Sequence, residues 1–182
     1  MSIAVPAGLL AFILLRDSGA KDAAGNHTTP STDIAPVDRS KARVGHPAPD
    51  FRLTAVDGSV VRLSQFRGRA VVLTFFASWC HPCEEELPVL EAVQREEGNR
   101  LAVIAVNYQD FADDSRRFVE RLHITYPALI QDATENPVAV HYGVHGIPVT
   151  FFIDARGIVA TEPLFGEGSR DALQPGLDKL LG

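Results

Sequence analysis

The chain contains two cysteines, and they stand three positions apart in Cys80-His81-Pro82-Cys83. That spacing lets the two sulfurs meet within one helical turn, so the pair can close and open a disulfide. Its setting gives the sulfurs unequal roles. The run Ala70–Phe76 before it is continuously apolar, the mark of a strand buried on both faces. After it, residues 84–97 carry apolar side chains at Leu87, Leu90 and Val93 and stop at Gly98-Asn99, which predicts an amphipathic helix. A cysteine at the start of such a helix faces unpaired backbone N–H groups and the positive end of the helix dipole. Both favour thiolate over thiol. Cys80 holds that place and is expected to attack a partner disulfide. Cys83, one turn further in and less exposed, is expected to resolve the mixed disulfide. The plain alternative is an inert structural pair.

Neighbouring residues can tune such a dithiol. A partly protonated His81 would stabilise the adjacent thiolate, and it can equally be a solvated turn residue. Pro82 lacks an N–H and has a fixed φ, which suits a first helical turn. Glu84, Glu85 and Glu86 complement the helix dipole. Glu86 also lies three residues after Cys83 and shares its side of the helix. A carboxylate facing inward there could exchange the Cys83 proton. Far downstream, Gly146-Ile147-Pro148 precedes a strand. An X-Pro bond at that place is either a candidate cis bond or an ordinary loop proline.

The rest of the composition narrows the function classes. Two cysteines cannot supply a disulfide framework, and no second Cys pair or suitably spaced histidine completes a structural zinc site. No metal and no cofactor is therefore expected. The net charge is −6 with no basic block, which argues against nucleic acid as a partner. With 46% apolar and 22% charged residues the chain reads as a soluble globular protein.

Its 182 residues divide into three stretches. Residues 1–15 are almost unbroken apolar sequence, shorter than the ~20 residues that span a bilayer, and fit a signal peptide core or membrane anchor. No Lys or Arg precedes them, so one reading puts the true start upstream; a buried N-terminal helix is the other. Residues 16–43 are rich in Ala, Gly, Ser, Thr, Pro and Asp and read as a flexible tether. Residues 44–182 form the domain. A hairpin is expected about Asp57-Gly58, between residues 51–53 and 60–63. A short helical turn at 64–68, strands at 70–76 and 101–106, a helix at 114–122 and a short apolar stretch at 128–130 follow. Then come a short helix opened by Asn136-Pro137, a hairpin of 149–153 with 158–160 about Asp154-Ala155-Arg156-Gly157, and a helix at 169–181. This predicts an α/β domain with a mixed central sheet and helices on both faces.

Three motifs, in order, resemble the thioredoxin superfamily and more closely its TlpA/ResA/CcmG-like branch of exported reductases. Val44-Gly45-x-x-Ala48-Pro49-Asp50-Phe51-x-Leu53 is similar to the family's domain opening. Phe76-Ala77-Ser78-Trp79-Cys80-His81-Pro82-Cys83-x-x-Glu86-x-Pro88 is similar to its active-site strand and helix. Tyr142-Gly143-Val144-x-Gly146-Ile147-Pro148-x-Thr150-Phe151-x-Ile153-Asp154 is similar to its cis-proline loop. The resemblance implies a thioredoxin-like fold with an N-terminal β-hairpin extension and a redox-active Cys80–Cys83 disulfide. It implies a catalytic part for Glu86 and a cis bond at Pro148. Ile147 would then hold an extended substrate segment beside the dithiol, on a surface shared with Trp79, His81 and Pro82. Residues 108–126 resemble the branch's helix-containing insert. Protein disulfides are the implied substrates, CxxCH segments of cytochrome c maturation among them, with a redox partner that recycles the dithiol. A monomer outside the cytoplasm is expected, touching the membrane through its N-terminal segment only. Proline before the second cysteine is the order of reductases in the superfamily, so reduction is the expected direction.

Two other functions compete. The related peroxiredoxin group shares the Ala-Pro-Asp-Phe opening and reduces peroxide. However, it places Thr or Ser where Ala77 stands, and Cys83 follows Cys80 too closely for its pattern. A metallochaperone would hold a soft cation such as copper between the two thiolates.

Overall fold

The computed structural model describes residues 41–182 except Glu167. The expected export segment at 1–15 and nearly all of the tether lie outside the described residues. Where the description begins, the Ala42 N–H donates to the His141 carbonyl at 3.1 Å and the side chain packs on the core.

The elements run β1 (Arg52–Ala55), β2 (Val60–Arg62), β3 (Ala70–Phe76), α1 (His81–Glu97), β4 (Leu101–Asn107), α2 (Ala112–Arg121), β5 (Ala128–Ile130), α3 (Pro137–Tyr142), β6 (Val149–Ile153), β7 (Leu164–Phe165) and α4 (Arg170–Leu181). They build one seven-stranded sheet in the order β2-β1-β5-β4-β3-β6-β7. Strands β3, β4 and β5 are parallel, while β1, β2, β6 and β7 join antiparallel. The fold is thioredoxin-like, extended at one edge by the β1–β2 hairpin. At its turn Gly58 takes φ +85°, and the Asp57 carboxylate accepts from the Ser59 N–H at 2.8 Å.

Strand β3 lies between β4 and β6, so neither of its edges is open, and every residue in it is buried. Period-2 geometry then splits its side chains. Val71, Leu73 and Phe75 enter one layer, with Val138, Ala139 and Tyr142 of α3 and Val61 of the hairpin. Ala70, Val72 and Phe76 enter the other, with Leu87, Leu90 and Val93 of α1, Phe118 and Val119 of α2, and Leu173 and Leu177 of α4. Helices therefore cover both faces. Burying each of Leu87, Leu90 and Val93 contributes roughly 1.5–3 kcal/mol, which fixes the rotation of α1 against the sheet.

Three expectations are corrected. Helix α1 begins at His81 rather than at residue 84, and α2 begins at Ala112 rather than 114. The stretch 158–160 is no strand. Ile158 and Val159 make only single bridges, to Pro47 and Ile153. The Asp154 carboxylate holds that turn by accepting from the N–H groups of Arg156 and Ile158, both at 2.9 Å. The strand that extends the sheet beyond β6 is β7, further along the chain.

Candidate active site

Strand β3 ends at the same edge where α1 begins, so the junction between them projects the cysteines from the end of the sheet. Cys80 is the N-cap of α1, and Pro82 occupies its first turn. Cys80 and Cys83 form a disulfide with their Cα atoms 5.3 Å apart. The Cys83 N–H donates to the Cys80 sulfur at 3.3 Å. One of the four orphan N–H groups of the helix start is thus aimed at that sulfur. Cys80 is 5% exposed and Cys83 is fully buried, so of the two only Cys80 keeps any contact with the surface.

His81 points into solvent. Its Nδ1 lies 3.8 Å from the Glu84 carboxylate, which also pairs with Arg121 of α2. The exposed-turn alternative for His81 therefore describes its setting, with an acidic neighbour added. Glu85 is exposed and Pro82 is exposed.

Glu86 faces inward and is 1% exposed. Its Oε1 accepts from the Thr150 hydroxyl at 2.6 Å and the Thr74 hydroxyl at 2.9 Å, and the two hydroxyl oxygens are 3.0 Å apart. Thr74 and Thr150 are direct cross-strand partners on β3 and β6, on the face that α1 covers. Oε2 lies beside Gly168 in the loop before α4. Burial holds the Glu86 carboxyl above its ordinary pKa; the Thr150 and Thr74 hydroxyls and the Gly168 backbone pull the other way and do not cancel it. Space around the carboxylate is tight. A Cβ on Gly168 would sit 2.6 Å from Glu86 Cδ, so the loop before α4 can close over the acid only with glycine there.

The Ile147–Pro148 bond is cis. Pro148 is buried, and Ile147 packs against the apolar cluster that contains both cysteines. The Pro148 carbonyl accepts from the Gly166 N–H at 3.0 Å, tying the loop to the end of β7. Trp79, just before the dithiol, is 59% exposed. Its indole N–H donates to the Gln109 carbonyl at 3.2 Å.

The structure thus gathers Trp79, Cys80, Cys83, Glu86 and Ile147-Pro148 at one end of the sheet and turns His81 outward. Sequence reasoning missed Thr74 and Thr150. Each is the one polar residue in an otherwise apolar strand, a signal that could have marked them. That they meet is a matter of register between strands 76 residues apart. It also missed Asp110, which is buried and accepts from the Ser78 N–H at 2.8 Å, the Ser78 hydroxyl at 2.9 Å and the Ser115 hydroxyl at 2.7 Å. Among the described residues no group of three or more His, Cys, Asp or Glu side chains is placed to hold a metal ion.

Comparison with known proteins agrees with this geometry. Residues 44–162 match the AhpC/TSA family model. The thiol-disulfide oxidoreductase ResA of Geobacillus thermodenitrificans is 34% identical over 126 residues, which cover 68% of this chain and 70% of that protein. A Chlorobium tepidum structure described as a thiol:disulfide interchange protein, DsbE, superimposes with a TM-score of 0.70 at 31% identity, over 78% of this chain and 100% of that one. The exposed lipoprotein thioredoxin of Streptococcus pneumoniae superimposes with a TM-score of 0.61 at 29% identity, over 72% and 99%. Carrying the fold, the paired cysteines and these likenesses together, the chain belongs to the AhpC/TSA family as a thioredoxin-like thiol–disulfide oxidoreductase.

Proposed function

We propose that this oxidoreductase works as a reductase of protein disulfides outside the cytoplasm, with Cys80 attacking, Cys83 resolving and Glu86 handling the Cys83 proton. The observation that carries the reading is the Cys83 N–H aimed at the Cys80 sulfur from the start of α1. In the reduced protein the same N–H and the helix dipole favour a thiolate on Cys80. That thiolate attacks one sulfur of a substrate disulfide, and the other substrate sulfur leaves as a thiolate. Cys83 gives its proton to the Glu86 carboxylate and attacks the Cys80 sulfur of the mixed disulfide. The Cys80–Cys83 disulfide forms and the second substrate sulfur leaves, so the substrate has gained two electrons. A dithiol partner then reduces the Cys80–Cys83 disulfide with two electrons of its own and becomes a disulfide. Pro148 and the Ile147 backbone hold an extended substrate segment beside Cys80, with Trp79, His81 and Pro82 at its border.

Export is supported by the apolar run at 2–15 and by the description of the pneumococcal relative as an exposed lipoprotein. Among the described residues no helix is long and apolar enough to cross a membrane. CxxCH segments awaiting haem in cytochrome c maturation are the substrate class the TlpA/ResA/CcmG-like resemblance supports. The test is reduction of insulin and of an oxidised CxxCH peptide by the wild-type chain and by Cys80→Ser. Both activities are expected to vanish in the variant, and the peptide is expected to react faster than insulin. Unchanged insulin reduction in Cys80→Ser would remove the reading. Fast single-turnover sulfenate formation with peroxide would replace it by peroxide reduction.

A further inference from the structure

The polar network beside the dithiol has no part in the redox steps, yet it ends on the one tryptophan of the chain. It holds the Ser78-Trp79 segment at two points from the loop between β4 and α2. At the first, the buried Asp110 carboxylate takes the Ser78 N–H and hydroxyl, while the Ser115 hydroxyl of α2 steadies the same carboxylate. At the second, the Gln109 carbonyl takes the Trp79 indole N–H. The Gln109 backbone is itself held, because its N–H donates to Asn136 Oδ1 at 2.8 Å. Asn136 is buried at the start of α3, and its Nδ2 donates to the Ala133 carbonyl at 2.8 Å. Both links in this chain carry strain. Gln109 has φ +48° and Asn136 has φ +44°, a left-handed conformation that side-chain-bearing residues adopt at a cost. Two such residues bonded to each other persist only where the surroundings fix them.

A tryptophan that is more than half exposed gains little from burial, so these bonds are what define its pose. We propose that Asn136, through Gln109, and Asp110, through Ser78, are positioning residues that fix Trp79 as a preset wall for an extended protein substrate. They govern docking of the substrate chain and leave the reactivity of the Cys80–Cys83 pair to helix α1. The inference rests on protein disulfides being the substrates.

Asn136→Gly is the test variant. Glycine accepts the left-handed backbone freely and removes only the side-chain bonds. Steady-state kinetics with insulin are compared with the rate on bis(hydroxyethyl) disulfide, which is too small to need the wall. Trp79, the only tryptophan, gives a fluorescence anisotropy that reports its own mobility. Loss of the Asn136–Gln109 hydrogen bond is expected to raise KM for insulin about three- to tenfold. The kcat and the small-disulfide rate are expected to stay within about twofold, since the bond makes no contact with the sulfurs. Trp79 anisotropy is expected to fall. Asn136→Asp keeps an acceptor for the Gln109 N–H and is expected to restore both. Asp110→Asn weakens the other hold and predicts the same split, so refutation stays open should Asn136→Gly not fold. Unchanged Trp79 anisotropy, or a small-disulfide rate that falls in step with insulin reduction, overturns the proposal. If the unaltered chain does not reduce insulin, the substrate reading fails, and the anisotropy still reports on the clamp.

Discussion

Replacing Thr150 by valine isolates the hold on Glu86. The two side chains have the same shape, and position 150 has no exposure, so water cannot take the place of the lost hydroxyl. Above the Glu86 pKa, Thr150 donates to an ionised carboxylate, a bond worth about 1.5–3 kcal/mol; below it, the partner is neutral and the bond is worth about 0.5–1.5 kcal/mol. The valine methyl offsets about 0.8 kcal/mol through added apolar burial. The expected destabilisation is therefore close to zero at about pH 4 and about 1–2 kcal/mol at about pH 9. At 2–4 °C per kcal/mol for a chain of this size, the melting temperature at the higher pH should fall by about 2–8 °C. Urea unfolding of the oxidised protein at both pH values measures the difference. A destabilisation of the same size at both would show that Thr150 does not bond to an ionising Glu86, and the site would need redrawing.

Further outcomes follow from the same geometry. Glu86 has a raised pKa, so its contribution to stability is fully present below the ordinary carboxyl range and is lost as pH rises through its folded pKa; Glu86→Gln is expected to flatten that decline in a pH series of denaturant unfolding, and a parallel curve would refute it. Cys83→Ser should trap a mixed disulfide between Cys80 and an insulin chain, visible by mass under non-reducing conditions, whereas Cys80→Ser should trap none. Gly176→Ala is expected to destabilise by about 1–3 kcal/mol, because its Cβ would enter the buried Phe152 ring. Helix propensity alone predicts a gain of about 1 kcal/mol, so thermal unfolding decides the sign. Gly168→Ala should likewise lose stability, since its Cβ would crowd the Glu86 carboxylate; Gly168→Ala with Glu86→Ala should recover part of the loss.

Central strands are legible from composition because they are apolar on both faces, and β3, β4 and β6 lie where those runs are. The same property hides the next level. A strand buried on both sides shows no alternation, so the sequence does not say which side chains of β3 meet α1. The start of α1 was hidden for a related reason. Its first turn carries the cap, a proline and an outward histidine, and offers no apolar period to read. Strand β7 is two residues long and exists through its pairing with β6. Within the site, the dithiol was legible because its spacing is local. The partners of Glu86 and the Asp110 network join segments tens of residues apart, and only the packed sheet brings them together.

Burial serves the two ends of this dithiol differently. Cys80 caps the start of the helix, where a backbone N–H is aimed at its sulfur, which in the proposed cycle spares its attack a base. Cys83 is fully buried among apolar side chains. In the proposed cycle its attack needs an acceptor for the proton. A solvated carboxylate binds protons too weakly to serve a buried thiol well, because proton transfer favours matched affinities. Burial raises the proton affinity of Glu86, one turn further along the same helix face as Cys83. Thr74 and Thr150 oppose that rise at Oε1, and the Gly168 backbone opposes it as well, without cancelling it. On this reasoning, removing the threonine hydroxyls should move the pH dependence of resolution upward and leave that of the initial Cys80 attack where it was. Stopped-flow kinetics of mixed-disulfide formation and decay in the Thr74→Val, Thr150→Val double variant separate the two steps, and a shift in both would place the acid's influence on the pair as a whole.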